Sequence, residues 1–169
     1  LGTLLRGTDI GGELWKIELV DGSVAWMGYD DARSLGELAA LPEEHKRHAI
    51  LQTAEQFIGD PYIWGGRSPS GGPDASIVSG VDCSALVHLA YRAIGLSIPR
   101  DAHEQFLRAQ PIKALQPADL IFLSERGNPK RIVHVMLYAG EGILIEGPGT
   151  VLRVRRISVE DRLGQPLDW

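Results

Sequence analysis

Helix-forming segments come first in the main part of this chain and strand-forming segments come last. From Pro42 to Gly59, apolar residues recur at Ile50, Leu51, Ala54, Phe57 and Ile58, a spacing that puts them on one helical face. Pro42 suits the first helical position, Glu43 and Glu44 complement the helix dipole, and Gly59 stops the run. A second helix is expected from Cys83, with Asp82 as N-cap, an apolar face of Leu86, Val87, Ala90, Tyr91 and Ile94, and Gly95 as its stop. A third, short helix is expected over Asp101 to Ala109. Four apolar or β-branched runs follow, Leu120 to Leu123, Ile132 to Tyr138, Ile143 to Glu146 and Val151 to Ile157, punctuated by Gly and Pro. This order predicts an α+β fold with helices packed on an antiparallel sheet.

A smaller unit precedes the helices. Leu14 to Met27 shows alternating apolar residues on either side of Asp21-Gly22, a strong hairpin signal. An isolated hairpin does not fold alone, so it must pack on the rest or be completed by further chain. The chain therefore divides into a β unit at 1–29, a linker at 30–41 and a main domain at 42–169. At 169 residues this is one domain plus a small module. A net charge of −5 argues against a nucleic-acid partner, whose phosphates call for a basic footprint. No apolar stretch is long enough to cross a membrane, no basic run suits a membrane surface, and Leu1 to Thr8 carry neither the charged nor the apolar region of a signal peptide.

With one cysteine, an internal disulfide is impossible. A lone cysteine is usually a small buried hydrophobe, but Cys83 sits at the first turn of a predicted helix, where unpaired N–H groups and the dipole favour a thiolate. A nucleophile of this kind needs a base. Of the five histidines, His45 and His48 fall on a charged helix face, His88 is turned away from Cys83 on its own helix, and His103 lies on a short polar helix. His134 interrupts an apolar strand, where a buried polar group needs a partner. Glu146 interrupts the next strand in the same way. With a three-residue loop between those strands the two residues would lie directly opposite on one face; with a two-residue loop they would face apart. The first case yields nucleophile, base and orienter in Cys83, His134 and Glu146. There is no His-Glu-x-x-His, no cysteine pair and no phosphate loop around Gly65-Gly66 or Gly71-Gly72, so neither metal nor cofactor is expected.

The ordered segments Pro61-Tyr62-Ile63-Trp64-Gly65-Gly66, Asp82-Cys83-Ser84, Pro99-Arg100, Leu115 to Phe122 and His134-Val135 resemble the NlpC/P60 family of cell-wall cysteine peptidases over about the last two-thirds of the chain. The β unit before them resembles the end of a bacterial SH3-like (SH3b) domain. The resemblance implies a papain-like fold and hydrolysis of amide bonds in peptidoglycan stem peptides, often the bond from the γ-carboxyl of D-glutamate to diaminopimelate. It implies Cys83 as nucleophile and His134 as base. It sets Tyr62, Asp82 and Ser84 near the cysteine as oxyanion or substrate-binding candidates, with Asp82 receiving the free amine of a short peptide. Peptidoglycan-derived peptides are the implied partners, and the cell envelope, the exterior or a cytoplasmic recycling role the implied setting. Three departures stand out: Glu146 where the family usually has histidine, Ala85 for the common glycine after Asp-Cys-Ser, and Met136 for the common glycine two residues after the histidine. The last two are expected to add bulk near the cleft, and the long loop Arg67 to Val81 to cover it. The competing readings are a papain-like amidase or transacylase and a non-catalytic wall-binding module; an intact Cys83, His134 and Glu146 argue against the last.

Overall fold

Alternation near the start of the chain produces a three-stranded antiparallel sheet in the order β1 (Arg6–Asp9), β2 (Leu14–Glu18), β3 (Val24–Gly28). The computed structural model describes residues 3–9, 13–71 and 79–165. The expected hairpin is β2–β3: Gly22 takes φ +80° and the Asp21 carboxylate accepts hydrogen bonds from Ser23 N and Oγ. β1 adds a third strand that Arg-Gly-Thr-Asp, with no apolar alternation, does not announce. Trp15 stacks on Tyr29 at 5.1 Å between centroids.

The segment 30–41, expected as a linker, carries ordered structure. A 3-10 turn spans Tyr29–Asp31, and helix α1 spans Leu35–Ala40. Its signal was the Ser-x-x-Glu of a capping box: Ser34 Oγ accepts from Glu37 N while the Glu37 carboxylate accepts from Ser34 N. Helix α2 spans Glu43–Glu55 with Pro42 as its N-cap, and Phe57 and Ile58 fall in the turns after its end. Helix α3 spans Cys83–Arg92 and begins where Asp82 caps it; α4 spans Ala102–Arg108.

The second sheet is antiparallel in the order β4 (Leu120–Glu125), β5 (Asn128–Gly140), β6 (Ile143–Glu146), β7 (Arg155–Ser158). The last strand is shorter than expected because Val151 and Leu152 belong to a turn, with Leu152 at φ +61°. A helix absent from the expectation, α5 (Val159–Leu163), follows β7, capped by Ser158. Alternation along the strands divides the core. Leu137 and Ile145 face α2 and α3 and pack with Ala54, Phe57, Leu86 and Ala90. Met136 and Leu144 face the other way and pack with Val159 of α5.

The β5–β6 hairpin holds the detail that matters for the site. Its turn has two residues, Glu141 and Gly142, both at positive φ, closed by the pair Gly140↔Ile143. A two-residue turn alone would put His134 and Glu146 on opposite faces. A register shift between Tyr138 and Gly140 inserts Ala139 as an extra residue, and beyond it the pairs are Tyr138↔Leu144 and Leu137↔Ile145. Continued by one step, that register sets Glu146 beside Met136, two residues from His134. The pair thus shares a face but lies diagonally, not directly opposite as the three-residue loop required.

Leu86 is fully buried between α3 and the sheet. Leu86→Ala is expected to lower unfolding stability by about 2–5 kcal/mol, read from urea denaturation. A loss no larger than that of an exposed leucine such as Leu107 would contradict this core assignment.

Candidate active site

Cys83 is the first residue of α3, packed with Val87 and Val135 where that helix meets β5. It is 9% exposed. The N–H groups of a helix's first turn have no intrahelical acceptor, so α3 directs donors and the positive end of its dipole at the sulfur's position. Pro61–Ile63 run beside the start of α3, with Val81 N donating to Pro61 O and Ile63 N to Val81 O. A Cβ on Gly66 would collide with Gly80 O, and one on Gly80 with Pro61 O, so both positions need glycine for this close approach. The approach brings Tyr62 within electrostatic reach of Cys83. Its hydroxyl pKa is raised, by burial first and then by the charges of Cys83 and Asp82.

His134 reaches the site from β5 with its side chain 12% exposed. Its Nε2–H donates to Glu146 Oε2 at 2.7 Å, which leaves Nδ1 as the remaining ring nitrogen, and the ring lies within electrostatic reach of Cys83. Glu146 is 0% exposed. Its carboxylate is met by four donors: His134 Nε2 and, at 2.8 Å, Arg162 Nε on Oε2, and Arg155 Nε and Nη2 at 3.0 and 2.8 Å on Oε1. A carboxylate has about four lone-pair sites, so all are occupied. Burial raises the carboxyl's pKa, but the hydrogen bonds from His134, Arg162 and Arg155 outweigh it and hold the value down at about 2. Burial lowers the pKa of His134, but its hydrogen bonds with Cys83 and Glu146 and their charges push it up to about 9. The structure thus brings Cys83, His134 and Glu146 together, with the ring hydrogen-bonded to the carboxylate and within electrostatic reach of Cys83.

Asp82 and Ser84 sit together at the start of α3. Asp82 caps α3, its Oδ1 accepting from Ala85 N at 2.8 Å. The same carboxylate accepts from Gly65 N, from Ser84 Oγ, and from Arg100 Nη1 and Nη2 at 3.0 and 2.7 Å. Burial works against its charge, yet Arg100 and the backbone amides of Ala85 and Gly65 keep its pKa below the ordinary value. Asp82 thus caps α3 and is charge-paired to Arg100. Ser84 is buried, and its hydroxyl bridges Asp82 and Arg100 at 3.2 and 2.9 Å. Both residues build the foundation of α3.

The remaining histidines are placed elsewhere. His88 Nδ1 bonds with Ile98 O at 2.8 Å, and His103 Nδ1 accepts from Ile132 N at 3.4 Å. Among the described residues no group of His, Cys, Asp and Glu is arranged to hold a metal ion, and no helix is long and apolar enough to cross a membrane.

The NlpC/P60 family model matches residues 59–163, which contain the whole of this constellation. The chain belongs to the NlpC/P60 family. A gamma-D-glutamyl-L-lysine dipeptidyl-peptidase of Bacillus cereus is 29% identical over 136 residues, covering 79% of this chain and 38% of that protein. An enzyme of the same name from Bacillus subtilis is 36% identical over 103 residues, covering 60% and 32%. The crystal structure of an NlpC/P60 family protein from Bacillus cereus superposes with a TM-score of 0.72 at 28% identity, over 92% of this chain and 48% of that one. The chain spans about a third of the length of those two curated relatives.

Within this NlpC/P60 chain the two bulkier residues are both buried. Ala85 is buried in the core beneath α3, and Met136 in the cluster under α5. The loop Arg67 to Val81 is tied at its ends by Ser68 N to Gly80 O and Ser79 Oγ to Pro69 O; its central residues 72–78, on which the expectation of a cover rests, lie outside the described residues. Arg155 and Arg162 were not singled out in the sequence. The available signal was indirect: a glutamate in an apolar strand needs cations, and the segment after it is rich in arginine.

These shifts set the pH dependence of stability. Glu146 has a depressed folded pKa, so its contribution is present above the unfolded value of 4.5 and is lost as pH falls through about 2. His134 has a raised one, so its contribution is present below 6.5 and is lost as pH rises through about 9. Glu146→Gln is therefore expected to flatten the acid limb of a stability–pH curve measured by chemical denaturation. An acid limb of unchanged slope would show that Glu146 does not titrate with folding.

Proposed function

We propose that this chain is a cysteine peptidase that hydrolyses amide bonds in peptidoglycan stem peptides, with Cys83 as nucleophile, His134 as base and Glu146 as orienter. The observation that carries the reading is the chain of contacts from a helix-terminal cysteine through His134 to a fully buried Glu146 carboxylate 2.7 Å from the ring. The Cys83 thiolate attacks the carbonyl carbon, forming a C–S bond, while the oxyanion is met by unpaired N–H groups at the start of α3. The His134 imidazolium gives its proton to the leaving nitrogen as the C–N bond breaks. Neutral His134 then takes a proton from water, whose oxygen attacks the thioester; the C–S bond breaks and the thiolate returns.

The finer reading is that the bond cut joins the γ-carboxyl of D-glutamate to diaminopimelate, in peptides with a free N-terminal amine. Its support is the similarity to proteins named gamma-D-glutamyl-L-lysine dipeptidyl-peptidase and the small β-sheet ahead of the domain. The domain division at 1–29, 30–41 and 42–169, with an SH3b-like first unit, belongs to the same reading. Asp82 is the proposed receiver of the amine, one carboxylate serving both as cap of α3 and as partner of the ammonium. Tyr62 is the remaining polar candidate beside the sulfur, its hydroxyl free of protein partners among the described residues.

Digestion of defined muropeptides, with products identified by mass, tests both levels. Cys83→Ser and His134→Ala are each expected to lower kcat by about 10³-fold or more with unfolding midpoints near wild type. Glu146→Gln should retain more activity than either. Wild-type turnover in the Cys83 or His134 variant would remove the mechanism, and products cut only at other bonds would remove the finer reading.

A further inference from the structure

The proposed mechanism uses one oxygen of Glu146 and says nothing of the two guanidinium groups that fill the rest of its hydrogen-bonding capacity. Arg155 comes from β7, directly paired with Glu146 across the sheet. It chelates Oε1 through both Nε and Nη2. Arg162 comes from α5 and places Nε 2.8 Å from Oε2, the oxygen that also accepts from His134. Neither arginine has another ion pair among the described residues. Helix α5 is anchored for this by Val159 in the Met136–Leu144 cluster and by Ser158, whose Oγ accepts from Asp161 N.

Two physical consequences follow. A carboxylate with free lone pairs can rotate or accept water. One held by four donors from two side chains of the last strand and helix, and from the imidazole itself, has one orientation. The charge count matters as well. Glu146 alone opposite His134 would be a simple −1/+1 pair that stabilises the imidazolium. With Arg155 and Arg162 attached, the carboxylate's partners carry a charge of +2 before His134 is protonated, which opposes the imidazolium.

We infer that Arg155 and Arg162 are positioning residues for the candidate catalytic pair, holding the Glu146 carboxylate ionised in one orientation and drawing off part of its negative charge so that His134 can both keep and release its proton. In this chain the third position is thus a Glu-Arg-Arg unit. It also follows that Glu146 is not exchangeable for the histidine that the family usually carries, because a histidine there would leave two partly buried guanidinium groups with no anion.

The inference rests on the assignment of Cys83 and His134 made above, so its test includes a readout that needs no peptide. Iodoacetate alkylation of Cys83 in the full chain follows the thiolate–imidazolium pair, and its rate falls at high pH as His134 loses its proton. Arg162→Met removes the charge and is expected to move that alkaline limb upward by about one pH unit. Arg162→Lys keeps the charge and should leave the limb at its wild-type position. With a muropeptide substrate, Arg162→Met should lower kcat by about tenfold or more with KM within about twofold, and Glu146→His should be less active than Glu146→Gln. If Arg162→Met does not fold, Arg155→Met on the edge strand is read in the same way. Unmoved alkylation limbs in folded arginine variants, or a Glu146→His variant as active as wild type, overturn the inference. A shifted alkylation limb in a chain that cuts no muropeptide upholds the arginine clamp and overturns the peptidase reading instead.

Discussion

The buried carboxylate of Glu146 ties the second half of the molecule together. It lies at the end of β6 and is met by β5 through His134, by β7 through Arg155 and by α5 through Arg162. A charge withdrawn from water is costly unless its hydrogen bonds are complete. Here they are complete only when three elements besides β6 are in their native places. Removing Arg155 leaves Oε1 without a donor, and removing His134 or Arg162 leaves Oε2 with one of its two. The same interaction that orients the imidazole therefore also specifies how the last strand and last helix close over the sheet.

Asp82 plays the matching part on the other side of Cys83. It caps α3, pairs with Arg100, and holds Gly65 and Ser84. One saturated carboxylate thus fixes the helix that carries the sulfur, and another fixes the ring that faces it. Rigidity of this kind suits the proposed mechanism, in which reacting atoms must keep their geometry while charge moves between sulfur and imidazole.

Much of this was legible because it is local. The capping aspartate, the apolar face of α3 and the glycine after it lie within a few residues of one another, and so do the Asp-Gly turn and its flanking strands. The α+β order follows from where helical and alternating periods occur. The capping box at Ser34 and Glu37 was equally local, and it marks α1 inside what composition alone presents as a linker. Cys83 stood out by its place at a helix N-terminus, and His134 and Glu146 as polar residues in apolar strands, where an unpartnered polar group would be expensive.

What the sequence determined by itself was which residues need partners, because burial and periodicity depend on near neighbours. What only the tertiary structure decided was which partners they obtain. A side-chain period of two means that one inserted residue reverses a face, and the bulge at Ala139 is what returns Glu146 to the side of His134 after a two-residue turn. Arg155 and Arg162 meet Glu146 only because β7 pairs with β6 and α5 folds back onto the cluster beneath them. Ala85 stands two residues from Cys83 in sequence yet points into the core, because positions two apart on a helix face in different directions, whereas Met136 shares the strand face of His134 and is covered there by α5. Asp82 is the cap its position announces, and the structure adds Arg100, distant in sequence, as the partner of its charge.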